Sequence, residues 1–351
     1  MRTVLITGSS GFIGFNLCNY LSQFKNEFKI YGVDKRLPLT NSPSSAINFH
    51  YYKCDLVDEQ NIGDLVNQLS PEIIVHLAAD SHVDTSINYP NEVCKNNVLG
   101  FINILGAFRH QYNKFSKIEQ SESLFLNIST DEIFGSTSGD EHFCAETKIN
   151  PSSPYSSSKA ACDLIGNSFA KTFGLPILNS VSVNNFGPLQ HPEKFIPNLI
   201  FRSINNIPFE IYGDGLQMRT WLPVIDHCRH IKTVIQRKII DSPIFIGSDV
   251  CCTNLEIAKR VHEIVLQKSI KLGNLNVSNK MRANFAKDRP AHDHCYRVNY
   301  QESIVKTGFT PSEDVWDYLD YTVNWYLKNP WYFDYVCSNG WNIQRKGLIN
   351  D

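Results

Sequence analysis

Through the first half of the chain, short apolar runs alternate with stretches whose apolar residues recur every three or four positions. Thr3 to Thr7 reads as a strand and Gly14 to Phe24 as a helix. Lys29 to Val33, Ile73 to Leu77, Leu124 to Ile128 and Ile177 to Val183 read as further buried strands, with helical patterns such as Asn96 to Phe108 and Ser157 to Phe173 between them. This alternation predicts a doubly wound α/β domain: a parallel sheet, buried on both faces under helices. After Pro188 the chain becomes richer in Pro, Asn and Gly, its elements shorten, and a helix is expected from Asn254 to Leu266. The expected division is residues 1–187 for the sheet domain and 188–351 for a smaller mixed α/β lobe, with Ile177 to Asn185 still in the sheet and some chain returning to it. The polar stretch Thr40 to Ser45 reads as a surface loop.

Composition narrows the function more than the fold. A chain of 351 residues, 42% hydrophobic and 19% charged, can bury a large core. Its formal net charge of −2 provides no broad basic field, so a nucleic-acid partner is not expected and any phosphate recognition must be local. The ten cysteines show no C-x-x-C pair and no metal-ligand spacing, so neither a metal site nor a disulfide framework is expected. Met1-Arg2 leads straight into an apolar strand, and no apolar run reaches the ~18 residues a membrane span needs. A cytoplasmic protein with reduced thiols is the expectation.

The first strand runs into Thr7-Gly8-Ser9-Ser10-Gly11-Phe12-Ile13-Gly14. Glycines at 8, 11 and 14 let the backbone turn tightly and approach a pyrophosphate, which the free N–H groups of the helix N-terminus then hold. Asp34 ends the second strand, where a carboxylate can accept both hydroxyls of an adenosine ribose and repel a 2′-phosphate. The pattern is that of a Rossmann fold, and it favours NAD over NADP, although Arg36 could accommodate the extra phosphate. Asp55-Leu56, at the end of a third expected strand, falls where adenine would be contacted.

Tyr155 and Lys159 stand four apart and so share a helix face. A phenol ordinarily titrates near 10, and an ammonium beside it is expected to favour the phenolate. About one element earlier, the strand Leu124 to Ile128 ends in Ser129-Thr130-Asp131-Glu132, in the crevice where α/β sheets bind ligands. A hydroxyl followed by two carboxylates offers a hydrogen-bond partner, an acid and a base. A solvated loop start is the plainer alternative, weakened because Gly135 and the residues after it already supply a loop.

These motifs together resemble the extended short-chain dehydrogenase/reductases, specifically the dTDP-glucose 4,6-dehydratase family. The resemblance runs from about residue 2 to residue 332. It is carried by TGSSGFIG (7–14), HLAADSHVD (76–84), STDEIFG (129–135), PYSSSKAA (154–161), NNFGPLQHPEKFIP (184–197), YGDGLQMRTWL (212–222) and DRPAHD (288–293). The glycine and Tyr/Lys motifs mark the superfamily, whereas Thr-Asp-Glu is far more specific. The resemblance implies NAD as cofactor and a nucleotide sugar as substrate, with Tyr155, Lys159, Thr130, Asp131 and Glu132 catalytic. It implies that Gly8, Gly11, Phe12, Ile13, Gly14, Asp34, Lys35, Asp55 and Leu56 contact the cofactor, with Leu77, Ala78, Ala79, Ser81, Asn96 and Asn185 lining it further along. Ser81, Thr130 and Asn184 would meet the sugar side. Lys194, Phe195, Tyr212, Arg219, Asn254, Arg289 and His292 would hold the nucleotide diphosphate, where two guanidinium forks suit the charge. A homodimer built through the helices flanking Tyr155 is also implied.

Several positions depart from the family pattern. Arg36-Leu37-Pro38 follow Lys35 and a helical insertion is missing, Phe134 stands for a usual Tyr, and Thr85, Asn96, Thr220 and Pro223 stand for the common Arg, Thr, Asp and Tyr. Ala291 to Cys295 lacks a Gly and two basic residues. The rival readings are a nucleotide-sugar epimerase or decarboxylase, which need no acid for a C6 leaving group, and a catalytically silent NAD-binding scaffold.

Overall fold

The computed structural model describes residues 1–36, 49–138, 140–240, 243–271 and 277–343. The expected loop Thr40 to Ser45 and the departures Leu37 and Pro38 lie outside them. Among the described residues the strands are β1 (Arg2–Thr7), β2 (Phe28–Asp34), β3 (Phe49–Lys53), β4 (Ile73–His76), β5 (Leu124–Thr130), β6 (Ile177–Ser182), β7 (Asn184–Phe186), β8 (Phe209–Tyr212), β9 (Met218–Pro223), β10 (Ile244–Ile246), β11 (Cys251–Thr253) and β12 (Ala283–Ala286).

Seven of them form one sheet in the order β10-β6-β5-β4-β1-β2-β3, and every neighbouring pair is parallel. The chain winds outward one way from β1 to β3 and the other way from β4 to β6, so a crevice opens at the C-terminal ends of β1 and β4. This is the Rossmann α/β arrangement. One face packs on the helices Phe12–Leu21 and Val224–Arg237, through Leu17, Cys18, Leu21, Cys228 and Ile231. The other packs on Glu59–Leu69, Gly100–Tyr112 and Pro154–Phe173, where Phe101, Phe108 and Phe125 are wholly buried.

Several boundaries shift by a few residues, the first helix running Phe12–Leu21 rather than Gly14 to Phe24, and two of the shifts have clear local reasons. The helix expected from Ser157 starts at Pro154, because Ser153 caps it reciprocally with Ser156 and proline suits the first helical position. The helix expected from Asn96 begins as a wider π turn, Lys95–Leu99, before continuing as Gly100–Tyr112. Asn97 in that turn bonds the Asp80 N–H at 2.7 Å, the Asp80 carbonyl at 3.1 Å and the Ser158 hydroxyl at 2.9 Å.

Ile177 to Asn185 does not stay in one sheet. The chain leaves the large sheet after Ser182, and β7 pairs instead with β9, which also pairs with β11. In the other direction, β10 returns beside β6. A two-stranded sheet, β12-β8, completes the mixed lobe. Its core gathers Phe186, Trp221, Val261, Val323, Tyr326 and Tyr332.

Candidate active site

At the end of β1 the backbone turns through Gly8, whose φ is +70°; a Cβ there would lie 2.8 Å from the Ala78 nitrogen. A Cβ on Gly14 would lie 2.2 Å from the Gly8 carbonyl oxygen, so this turn admits only glycine. Gly11 caps the helix Phe12–Leu21 without any side-chain bond, leaving its first N–H groups for an anion. Phe12 and Ile13 sit half-buried against the sheet core. The Thr7 hydroxyl accepts from the N–H groups of Leu77 and Ala78, both at 3.2 Å, which places Leu77 to Ala79 beside the glycine turn.

Asp34 is 7% exposed and accepts from the Ser10 N–H at 3.1 Å and the Arg36 N–H at 2.9 Å, while the Arg36 guanidinium lies 3.6 Å away. Lys35 reaches Asn96 at 3.0 Å and Asp80 at 3.5 Å, joining two of the expected cofactor positions. Asp55 lies two residues beyond β3 rather than at its end and caps the Val57 N–H at 3.0 Å, with Leu56 buried beneath it. Asn185 donates to the Ser182 hydroxyl at 2.7 Å and the Val183 carbonyl at 2.9 Å, and its own oxygen meets His227 at 3.0 Å. A glycine cradle, an uncapped helix start and a buried carboxylate fit a dinucleotide.

At the end of β5, Asp131–Phe134 form a single 3₁₀ turn rather than a loose loop. The Thr130 hydroxyl caps it, accepting from the Glu132 N–H at 3.3 Å. Gly135, with φ +77°, turns the chain away where a Cβ would meet the Asn150 carbonyl at 2.6 Å. The turn buries Asp131, whose Oδ2 has no hydrogen-bond partner, and faces Glu132 into a cleft. Burial pushes the Asp131 carboxyl up to about 8, and the neighbouring Glu132 adds to the rise while Arg219 opposes it. Glu132 is also raised by burial, against the pull of Arg219, Lys194 and Arg289.

Tyr155 is 8% exposed, one residue into its helix. Its phenol is pushed above its ordinary value by burial first, then by Glu132 and Asp131, while a hydrogen bond with Thr130 pulls the other way. The lowering expected from Lys159 is therefore not the outcome: lost hydration and two carboxylates raise the phenol, and the pull against them comes from Thr130. Lys159 is itself buried one turn before Asp163 on the same helix; burial pushes the Asp163 carboxyl up to about 6, and the Lys159 charge opposes that rise.

Glu132 opens onto a cleft of about 470 Å³ that Ser81, Asn184, Lys194, Phe195, Tyr212, Arg219, Asn254, Arg289 and His292 all line. Every expected substrate residue but Thr130 thus lines this one cleft. Arg219 is no surface ion pair: it is 8% exposed, bonds the carbonyls of Met218, Asp293 and His294 at 2.8, 3.0 and 3.2 Å, and lies over the Tyr296 ring. Lys194 donates to the Ser81 carbonyl at 2.6 Å, and burial lowers its ammonium. His292 meets Asp288 at 2.6 Å and Asn184 Oδ1 is buried without a partner.

Sequence reasoning missed Asp84, Ser153, Asp293, Tyr296 and Trp341, which also line the cleft. Asp84 lies 2.6 Å from Arg289 and accepts from the Tyr212 hydroxyl at 2.5 Å. Burial raises its carboxyl, but Arg289 and Tyr212 outweigh that and leave it below its ordinary value. Its signal was available inside HLAADSHVD; Tyr296 and Trp341 stand in no motif. Phe134 packs against Phe143 and Phe245 at 5.0 and 6.0 Å in an apolar cluster, which accounts for a ring without a hydroxyl there. Among the described residues no cluster of His, Cys, Asp or Glu could hold a metal ion, and no helix is long and apolar enough to cross a membrane.

The family profile described as GDP-mannose 4,6 dehydratase matches residues 5–320. A dTDP-glucose 4,6-dehydratase from Neisseria meningitidis is 31% identical over 353 residues, covering 99% of each chain. One from Haemophilus influenzae is 32% identical, over 94% of this chain and 99% of its own. Among solved structures, the dTDP-glucose 4,6-dehydratase of Bacillus anthracis in complex with NAD superposes with TM-score 0.81 at 28% identity, over 95% of this chain and 99% of that one. That of Streptomyces venezuelae with NAD and TYD (dTDP) bound gives 0.83 at 26% identity, over 94% and 98%. UDP-glucose 4-epimerase from Thermotoga maritima, at 22% identity and TM-score 0.80, shares the fold. With a profile match over most of its length and full-length relatives of one kind, the chain belongs to the GDP-mannose 4,6-dehydratase family, within it to the dTDP-glucose 4,6-dehydratases.

Proposed function

We propose that this protein converts an NDP-hexose, dTDP-glucose or UDP-glucose, into the NDP-4-keto-6-deoxyhexose by C4 oxidation, loss of water across C5–C6 and return of hydrogen to C6. The observation that carries this reading is the pairing of Asp131, titrating near 8, with Glu132 beside Tyr155. An epimerase or decarboxylase needs no such acid. NAD is the cofactor, as in the solved relatives; when bound it accepts and returns the hydride and brings a positive charge that favours a phenolate. Gly8, Gly11, Gly14 and Asp34 would hold its adenosine and pyrophosphate end, with Lys159 and Asn185 toward the nicotinamide.

Tyr155 takes the C4 hydroxyl proton as C4 is oxidised, and Thr130 hydrogen-bonds the C4 oxygen. The resulting C4 ketone acidifies the C5 proton, which Glu132 removes. Asp131, protonated at neutral pH, gives its proton to the departing C6 hydroxyl and water leaves; Glu132 then gives a proton back to C5 as hydrogen returns to C6. While Asp131 is neutral it does not oppose ionisation of Tyr155. Lys194, Arg219, Arg289 and His292 receive the diphosphate, Arg289 and Lys194 being charged and facing the same cleft as Glu132.

Residues 1–187 would carry cofactor and chemistry, and 188–351 mainly the nucleotide. A homodimer is supported by Leu99, Ile102, Leu164 and Phe173, large apolar side chains exposed on the two helical segments beside Tyr155. All ten cysteines carry free thiols, which suits the reducing cytoplasm. Incubating the NAD-loaded enzyme with dTDP-, UDP-, CDP- and GDP-hexoses tests the reading: a 4-keto-6-deoxy product from at least one supports it, and turnover of none contradicts it.

A further inference from the structure

The cleft extends beyond the residues that the proposed chemistry uses. From Glu132 it passes the cations Arg219, Lys194 and Arg289, whose charges act on that carboxylate. Arg289 lies 4.4 Å over the Tyr212 ring, at the end of β8. Two residues back on that strand, Glu210 pairs with Arg202 at 3.4 Å. Arg202 in turn donates to the Ile343 carbonyl at 3.0 Å and so fixes the last described turn of the chain against this wall. Trp341 of that turn lines the cleft and remains half-buried. Its ring is held edge-on by Phe201 at 5.1 Å and His191 at 6.4 Å.

This end is built differently from the middle. The N–H groups of Arg202 are committed to Asn198, the Pro208 carbonyl, Ile343 and Glu210, so its charge is neutralised rather than offered to phosphate. What the wall offers a ligand is an indole ring. A nucleotide sugar with its hexose at Glu132 and its diphosphate on the three cations has one part left, a flat aromatic base. We infer that Trp341 walls the nucleobase compartment and stacks on the base, with the Arg202–Glu210 pair holding the C-terminal turn in place. The inference rests on the nucleotide-sugar reading above.

Titration of the NAD-loaded protein with dTDP, UDP, GDP and inorganic pyrophosphate tests it without turnover. Stacking on an aromatic ring is a substantial share of base binding, so Trp341→Leu should weaken the best nucleoside diphosphate by roughly 5- to 100-fold. Pyrophosphate affinity should stay as in the wild type, and Trp341→Phe should restore most of the loss. Leucine keeps the apolar packing on Phe201, and the pyrophosphate control reports whether the cation wall survives. Unchanged nucleotide affinity in Trp341→Leu, or an equal loss for pyrophosphate, would overturn the inference alone. A wild-type protein that binds every nucleoside diphosphate no better than pyrophosphate would overturn the nucleotide reading and this inference together.

Discussion

Asp131 and Glu132 are adjacent carboxyls in one 3₁₀ turn, yet the fold treats them differently: Asp131 is 1% exposed, and Glu132 faces the cleft under three cations. Asp131 therefore keeps its proton until pH rises through about 8. The rate of water elimination should fall along an alkaline limb near that value, and Asp131→Asn should lower the rate by about 10²-fold and remove the limb. A kcat–pH profile that keeps the limb in the variant would assign it elsewhere. The same shift has a stability sign. A carboxyl whose folded value is raised stabilises the fold fully below the ordinary carboxylate range and loses that contribution as pH rises through about 8. Asp131→Asn should thus melt above the wild type in alkaline buffer and not in acid. Tyr155→Phe keeps the buried ring and removes the proposed proton acceptor, for an expected loss of about 10²–10⁴-fold in turnover. At the glycine turn, Gly14→Ala would force a methyl against the Gly8 carbonyl, 2.2 Å away, so retained NAD measured on the purified protein should fall sharply.

The element that matters most is the helix Pro154–Phe173 seated on β5 and β6. Its Asp163 accepts from Ser129 at 2.7 Å and from Asn127 at 2.8 Å, and Asn179 of β6 donates to the Asp163 carbonyl at 3.2 Å. Ser129 directly precedes Thr130, so this buried network ties the strand end to the helix of Tyr155 and Lys159. Asp163→Ala strands the Ser129 and Asn127 donors and should cost about 2–4 kcal/mol in urea unfolding. Asp163→Asn, which keeps the shape and an acceptor, should cost much less; equal losses in both would mean the charge rather than the bonds holds the elements together. Most elements of the sheet domain were legible because parallel strands buried on both faces read as continuous apolar runs. The π turn at Lys95–Leu99 and the departure of β7 from the large sheet were not, although a return of later chain to that sheet was expected. Each depends on partners far away in sequence, Asp80 and Ser158 for Asn97 and β9 for Asn184–Phe186, which local periodicity does not encode.

At the scale of the molecule, the site is made where segments remote in sequence meet. Asp84 joins Arg289 and Tyr212, and Lys194 joins the Ser81 carbonyl, so the segment after β4 is pinned to the mixed lobe across the cleft. The sequence motifs already held one side of these contacts: Ser81, Lys194, Tyr212 and Arg289 were expected on the substrate side, and the structure brings all four to the cleft. Their buried counterpart Asp84 needed the assembled fold, as did Tyr296 behind Arg219. In the proposed function these parts carry out oxidation, elimination and internal hydrogen return in one cycle. Turnover of substrate deuterated at C4, and separately of unlabelled substrate in D₂O, tests it most directly by mass and NMR analysis of the product. The C4 deuterium should reappear at C6 and solvent deuterium should enter at C5, with the C6 hydroxyl gone. A product that retains its C6 hydroxyl, with its configuration altered only at C4, would contradict it and mark the chain as an epimerase.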